Sequence, residues 1–219
     1  DLDTTRKKNA YQTIINDFEN RNIDILIGTQ MLTKGLDFDN VSLVGIINAD
    51  SLLNFPDFRS YERSFQLMAQ VAGRAGRKNK QGKVLIQTYS ANHNIIQAVQ
   101  ANDYLSMYNS ELLERKAFNY PPYCKLLSII ISHKDYNLTN QSARELSLFL
   151  RKYFNKNVLG PEYPPVSRIK NRYLKNILVK IGADLSLHQS KKLILKLIDS
   201  VHKMPQFRSV RFTIDVDPQ

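Results

Sequence analysis

The sequence predicts an α/β protein in two parts: a parallel-sheet unit, then a smaller unit of order β-α-β-β-α-β. Three observations predict this. In the first half, almost continuously apolar runs of strand length alternate with segments of helical period, as in a parallel sheet covered by helices. In the second half, strand and helix signals succeed one another as β-α-β-β-α-β. Between the halves stands Tyr120-Pro121-Pro122-Tyr123, and two prolines cannot continue a helix. The expected units are residues 1–118 and 119–219.

Taken in order, Thr4 and Thr5 can cap a helix reaching to about residue 20, with Tyr11, Ile14, Ile15 and Phe18 on one face. Residues 24–28 (DILIG) read as a short buried strand and 41–48 (VSLVGIIN) as a second. After a polar loop holding Pro56, Ser60 can cap a helix that carries Tyr61, Phe65 and Met68 and ends near 73–76. A third strand is expected at 83–89 (KVLIQTY), then one long amphipathic helix over 92–116. Past the prolines come a strand at 126–132, a helix at 137–153 and a short strand near Val158 that ends at Gly160-Pro161. The Pro164-Pro165 loop leads to a strand at 173–181, a helix at 187–202 and a last strand at 209–216. That order is ferredoxin-like, a fold that hosts many functions and assigns none by itself.

Charge separates the same two parts. The 219 residues carry a net charge of +11. Residues 1–115 hold 13 Lys and Arg against 13 Asp and Glu, whereas 116–219 hold 18 against 7. A basic surplus confined to one unit suits a polyanionic partner there, although it also serves solubility. No apolar run approaches the ~20 residues of a membrane span. The single cysteine, Cys124, allows no internal disulfide and no cysteine-built zinc site, and fits a reducing cytoplasm. His93, His133, His188 and His202 are scattered and read as surface or capping residues. The chain opens at Asp1 rather than Met, so a longer parent protein is expected.

The segment Gln70-Val-Ala-Gly73-Arg74-Ala-Gly76-Arg77 has the spacing QxxGRxxR at the end of a helix. Arg74 and Arg77 stand three residues apart, on one side of a helical turn. Two guanidinium forks so placed can neutralise the charge that spreads over a transferring phosphoryl group. Gln70, one turn earlier, can orient the attacking water, and small residues such as Gly73 let backbone approach a nucleotide. A solvated basic helix end, favourable to the helix dipole, is the alternative. Upstream, directly after an expected strand, lies Ile27-Gly28-Thr29-Gln30-Met31-Leu32-Thr33-Lys34-Gly35-Leu36-Asp37-Phe38. Strand ends in open α/β sheets are where ligands bind. Thr29, Gln30 and Lys34 offer contacts to a phosphodiester backbone, Gly35 a tight turn, and Asp37 a group for the ribose or the Mg²⁺ shell.

These two segments resemble motifs V and VI of superfamily-two helicases. The stretch Asn48-Ala-Asp50-Ser-Leu-Leu-Asn-Phe-Pro56-Asp57-Phe-Arg59-Ser-Tyr-Glu62-Arg63 narrows the resemblance to the primosomal protein N′ family. So do the opening Asp1-Leu-Asp3-Thr4-Thr5, the Tyr120–Tyr123 junction and the closing Asp215-Val-Asp217-Pro218. One departure is Leu36, where most relatives carry histidine. The resemblance implies a partial RecA-like second helicase lobe followed by the ferredoxin-like domain. It implies an ATP-dependent 3′–5′ DNA helicase that recognises stalled replication forks and restarts replication by primosome assembly. Arg77, Arg74 and Gln70 would be catalytic, and Gly35, Asp37 and Gly73 would bind nucleotide. Thr29, Gln30 and Lys34 would contact DNA. The chain holds no GxxxxGK[ST] loop and no Asp-Glu box, so it should not hydrolyse ATP by itself. ATP and Mg²⁺ would need a first lobe, and Zn²⁺ would sit on cysteines upstream of Asp1. Implied partners are forked and single-stranded DNA, single-stranded-DNA-binding protein and other primosome proteins, with no membrane.

In the basic unit, Arg168-Ile-Lys170-Asn-Arg172-Tyr173-Leu-Lys175 mixes cations with an aromatic at the start of an expected strand. If extended, it puts Arg168, Lys170 and Arg172 on one face for phosphate contacts, with Tyr173 free to stack a base. A strand edge guarded by charge is the alternative. Lys191, Lys192 and Lys196 form a basic stripe. Relatives bind the acidic tail of single-stranded-DNA-binding protein near this region, which makes Lys191 and Lys192 candidate partner contacts beside a plain solvated face.

Overall fold

The structure is a computed structural model that describes residues 9–29, 41–73, 75 and 82–218. The chain divides into two compact units, Asp1–Leu112 and Leu113–Gln219.

The first unit begins with α1 (Ala10–Glu19), whose Ile15 is buried. Thr4 and Thr5, expected to cap it, lie outside the described residues. Residues 24–28, expected as a strand, run without strand pairing, and Ile25 and Ile27 are 75% and 83% exposed. Apolar alternation marks a segment able to enter a sheet, yet a strand exists only where a neighbour accepts its backbone bonds. Among the described residues β1 (Leu43–Ile46) pairs with β2 (Lys83–Ile86), in parallel, from Leu43↔Lys83 to Ile46↔Ile86. Both strands are shorter than the apolar runs that predicted them. The crossover between them holds α2 (Asp50–Leu53) and α3 (Ser60–Ala72). Ala49, Leu53, Phe65 and Met68 pack with Ile95, Ile96, Val99 and Met107 to form this unit's core.

The helix expected over 92–116 is two helices, α4 (Asn94–Ala101) and α5 (Tyr104–Ala117). Asn102 takes a left-handed conformation, φ 51°, which asparagine tolerates better than most residues. Asp103 then accepts a hydrogen bond from the Ser106 amide at 3.0 Å, an N-cap that restarts the helix. Local capping overrode an apolar period that runs through the break. His93 caps α4 by accepting from the Ile95 amide.

The second unit contains β3 (Cys124–His133), α6 (Tyr136–Phe154), β4 (Val158–Glu162), β5 (Arg168–Ile169), β6 (Arg172–Gly182), α7 (Leu187–His202) and β7 (Arg211–Val216). The strands lie in the order β4-β6-β3-β7 with every pairing antiparallel, and β5 pairs with β6. Leu127, Ile129 and Ile131 of β3 share a core with Ile177, Val179 and Ile181 of β6. Ala143, Leu146 and Leu150 of α6 and Ile194 and Val201 of α7 belong to the same core. The leucines and isoleucines among them are almost fully buried, so trimming one to alanine costs about 2–5 kcal/mol.

A buried lysine ties down the segment that enters this sheet. Lys180 donates from Nζ to the Phe118 carbonyl at 2.7 Å and sits 3.5 Å from the centroid of the Tyr120 ring. Burial lowers its pKa below the ordinary lysine value. Cys124 is also buried, donates to the Asn119 carbonyl at 3.1 Å, and has its thiol pushed up by burial.

Candidate functional site

In the first unit, the turn before α3 sets the helix that carries Gln70. Ser60 was expected as its cap, but Ser60 is the first helical residue, and Asp57 performs the anchoring. The Asp57 carboxylate accepts from the Arg59 amide at 2.8 Å and from Arg63 Nη1 at 3.1 Å, and its carbonyl accepts the Ser60 amide. A second carboxylate, Asp50 at the start of α2, accepts from Thr88 Oγ1 at 2.9 Å and from the Tyr89 amide at 3.0 Å. It joins the end of β2 to the crossover that follows β1. The Tyr89 amide, more than any other group, holds the Asp50 carboxyl below its ordinary value.

Gln70 lies exposed on the last turn of α3. The helix stops at Gly73, whose amide still bonds back to the Ala69 carbonyl. Gly73 has φ −64°, open to any residue, and a Cβ built there would meet the Ala69 carbonyl at 3.5 Å, an ordinary contact. Among the described residues, nothing therefore requires glycine at 73. Thr29 is exposed after the irregular segment 24–28. Gln30, Lys34, Gly35, Asp37, Arg74 and Arg77 lie outside the described residues.

In the second unit, Arg168, Lys170, Arg172 and Tyr173 do not lie along one extended strand. Lys170 and Asn171 both have positive φ, 46° and 59°, and form a two-residue hairpin turn between β5 and β6. Arg168 thus stands opposite Tyr173, with its guanidinium 4.8 Å from the ring centroid, and it donates to Asn171 Oδ1. Lys170 projects from an exposed turn. Arg172 differs, being half-buried and donating from Nη2 to the Ser132 carbonyl at 3.1 Å. On α7, Lys192 and Lys196 are exposed one turn apart, while Lys191 is half-buried. Tyr136 and Tyr163, which the sequence does not single out, stand beside this turn: Tyr136 meets both Tyr173 and Tyr163, and Lys175 lies over the Tyr163 ring. Their separation along the chain left no linear signal.

Among the described residues no group of three or more His, Cys, Asp or Glu side chains stands together, so these residues do not fit a zinc site. Nor is any described helix long and apolar enough to cross a membrane.

The comparisons with known proteins divide the chain in a similar way. The family described as helicase conserved C-terminal domain matches residues 1–79, which makes the parallel unit part of a helicase-type lobe. The primosomal protein N C-terminal domain family matches residues 116–219. The replication restart protein PriA of Bacillus subtilis is 39% identical over 220 residues, covering 100% of this chain and 27% of the relative. That of Synechocystis is 41% identical, covering 100% and 26%, and that of Borreliella burgdorferi 36%, covering 100% and 32%. The chain belongs to the primosomal protein N′ (PriA) family and corresponds to the C-terminal part of its members. It spans about a quarter to a third of the length of these relatives.

Proposed function

We propose that this chain is the C-terminal portion of an ATP-dependent 3′–5′ DNA helicase that recognises stalled replication forks and restarts replication by primosome assembly. Residues 1–118 supply part of a RecA-like second lobe, and 119–219 a basic domain of ferredoxin-like arrangement, the latter supported by the strand order β4-β6-β3-β7. Arg77 and Arg74 stabilise the transferring phosphoryl group and Gln70 positions the attacking water. Gly35, Asp37 and Gly73 border the nucleotide, while Thr29, Gln30 and Lys34 couple that site to the DNA backbone. Hydrolysis needs the Mg²⁺ and phosphate-cradling groups of a first lobe, so the 219 residues alone do not turn over ATP.

The observation that carries this reading is the end of α3. Gln70 is exposed four residues before Arg74, and among the described residues nothing requires the glycine at 73 between them. Space for an approaching nucleotide explains that glycine. In the full-length protein, Gly73→Ala should leave the unfolding midpoint unchanged. Gln70→Ala should lower DNA-stimulated ATPase by about 10²-fold, as loss of a positioning group does. Wild-type turnover in Gln70→Ala would remove the reading.

The 219 residues by themselves act as a docking module. All of the net positive charge lies in 116–219, and Arg168, Lys170, Arg172 and Tyr173 are its proposed DNA contacts. Lys191 and Lys192 are proposed to meet the acidic tail of single-stranded-DNA-binding protein.

A further inference from the structure

Three tyrosines from three elements meet beside the hairpin turn of the second unit. Tyr136 opens α6, Tyr163 follows β4 and Tyr173 lies near the start of β6. The Tyr136 and Tyr163 rings are nearly parallel, 14° apart in plane with centroids at 6.2 Å. Tyr173 meets Tyr136 edge-on at 5.5 Å. Tyr136 stays 50% and Tyr163 41% exposed to water. Cations frame the rings. Lys175 Nζ is 3.4 Å from the Tyr163 centroid and the Arg168 guanidinium covers Tyr173. Exposed Lys134 and Lys170 adjoin them in sequence. Of the neighbouring acids, Asp135 caps α6 through the Leu138 amide and Glu162 is exposed. Tyr163 donates to Asn140 Oδ1 at 3.0 Å, which fixes its ring against α6.

The geometry points to a stacking platform. Tyr136 and Tyr163, flanked by Lys175 and Arg168, take one or two unpaired bases of a single-stranded nucleic acid while the phosphates follow the cations. Stacking needs a free base face, which a duplex does not offer, and it tolerates any base because each has a π-face. This inference rests on the reading of the second unit as DNA-binding and goes further, in assigning Tyr136 and Tyr163 as the bases' stacking partners at a site that discriminates against duplex.

The test uses the 219-residue chain, a fluorescent oligodeoxythymidylate of about 12 nucleotides, and a duplex of equal length, with affinity followed across salt concentration. Tyr136→Ala with Tyr163→Ala should weaken single-strand binding about tenfold or more, leaving its log–log salt slope and the duplex affinity unchanged. Tyr136→Phe with Tyr163→Phe should bind as the parent does, since the rings remain. Unchanged single-strand affinity in the alanine variant overturns the platform. So does an equal loss for the duplex, or an equal loss in the phenylalanine variant. Arg168→Ala with Lys170→Ala separates this from the parent reading, because each lost phosphate contact should flatten the single-strand slope by about 0.7. A flattened slope there beside normal binding in the tyrosine variant overturns the platform and keeps the basic face. No salt-dependent binding of either probe by the parent chain overturns both.

Discussion

At the scale of single residues, two glycines separate structural from functional demand. Gly160 has φ +90°, and a Cβ there would lie 2.7 Å from the Asn176 carbonyl oxygen. Gly160→Ala should therefore cost about 1–3 kcal/mol of stability, read as a lower urea midpoint, and an unchanged midpoint would refute the strain. At Gly73 the described residues make no such demand, a contrast that fits its proposed place beside the nucleotide. Asp50 gives a pH-dependent counterpart. Its carboxylate is held more firmly in the folded state than in the unfolded chain, so the contact stabilises above the ordinary carboxylate pKa and is lost as pH falls through the lowered one. Asp50→Asn should thus be less stable than the parent at about pH 7, and the gap should narrow as pH falls below the ordinary carboxylate range. A gap that persists in acid would show that the carboxylate charge is not what matters. Sequence reading reached Gln70, because QxxGRxxR is compact and local. It missed Tyr136 and Tyr163, because the fold brings them together from segments far apart in the chain.

At the scale of elements, legibility followed how local the cause was. The long strands β3 and β6 and the helices α6 and α7 are visible as apolar periods, since burial of a face is what those periods record. The break at Asn102-Asp103 and the turn at Lys170-Asn171 were hidden, because each depends on left-handed backbone that neither apolar pattern nor propensity announces. The segment 24–28 has the composition of a strand and pairs with no strand among the described residues, where Ile25 and Ile27 are exposed. The prolines before β3 mark the end of the preceding helix, and Lys180 adds a tie that no local pattern carries, by binding the Phe118 carbonyl from β6, the strand paired with β3. Lys180→Ala should raise chymotryptic cleavage after Phe118 several-fold while the far-ultraviolet circular dichroism stays that of a folded chain. Cleavage at the parent rate would mean that the prolines alone hold the segment.

At the scale of the whole molecule, the account divides labour between two units of different charge. The near-neutral first unit carries the residues proposed to finish an ATPase site, and the basic second unit carries the surface proposed for nucleic acid or partners. The family match covers the entire chain yet only about a quarter to a third of each relative, so the first unit's chemistry is measurable only in a longer protein. The central claim is that Arg77 completes an ATP-hydrolysing site as a transition-state group. In the full-length protein, Arg77→Ala should reduce DNA-stimulated turnover by about 10³-fold or more while fork binding stays near the parent value. A turnover number equal to the parent's would contradict the claim.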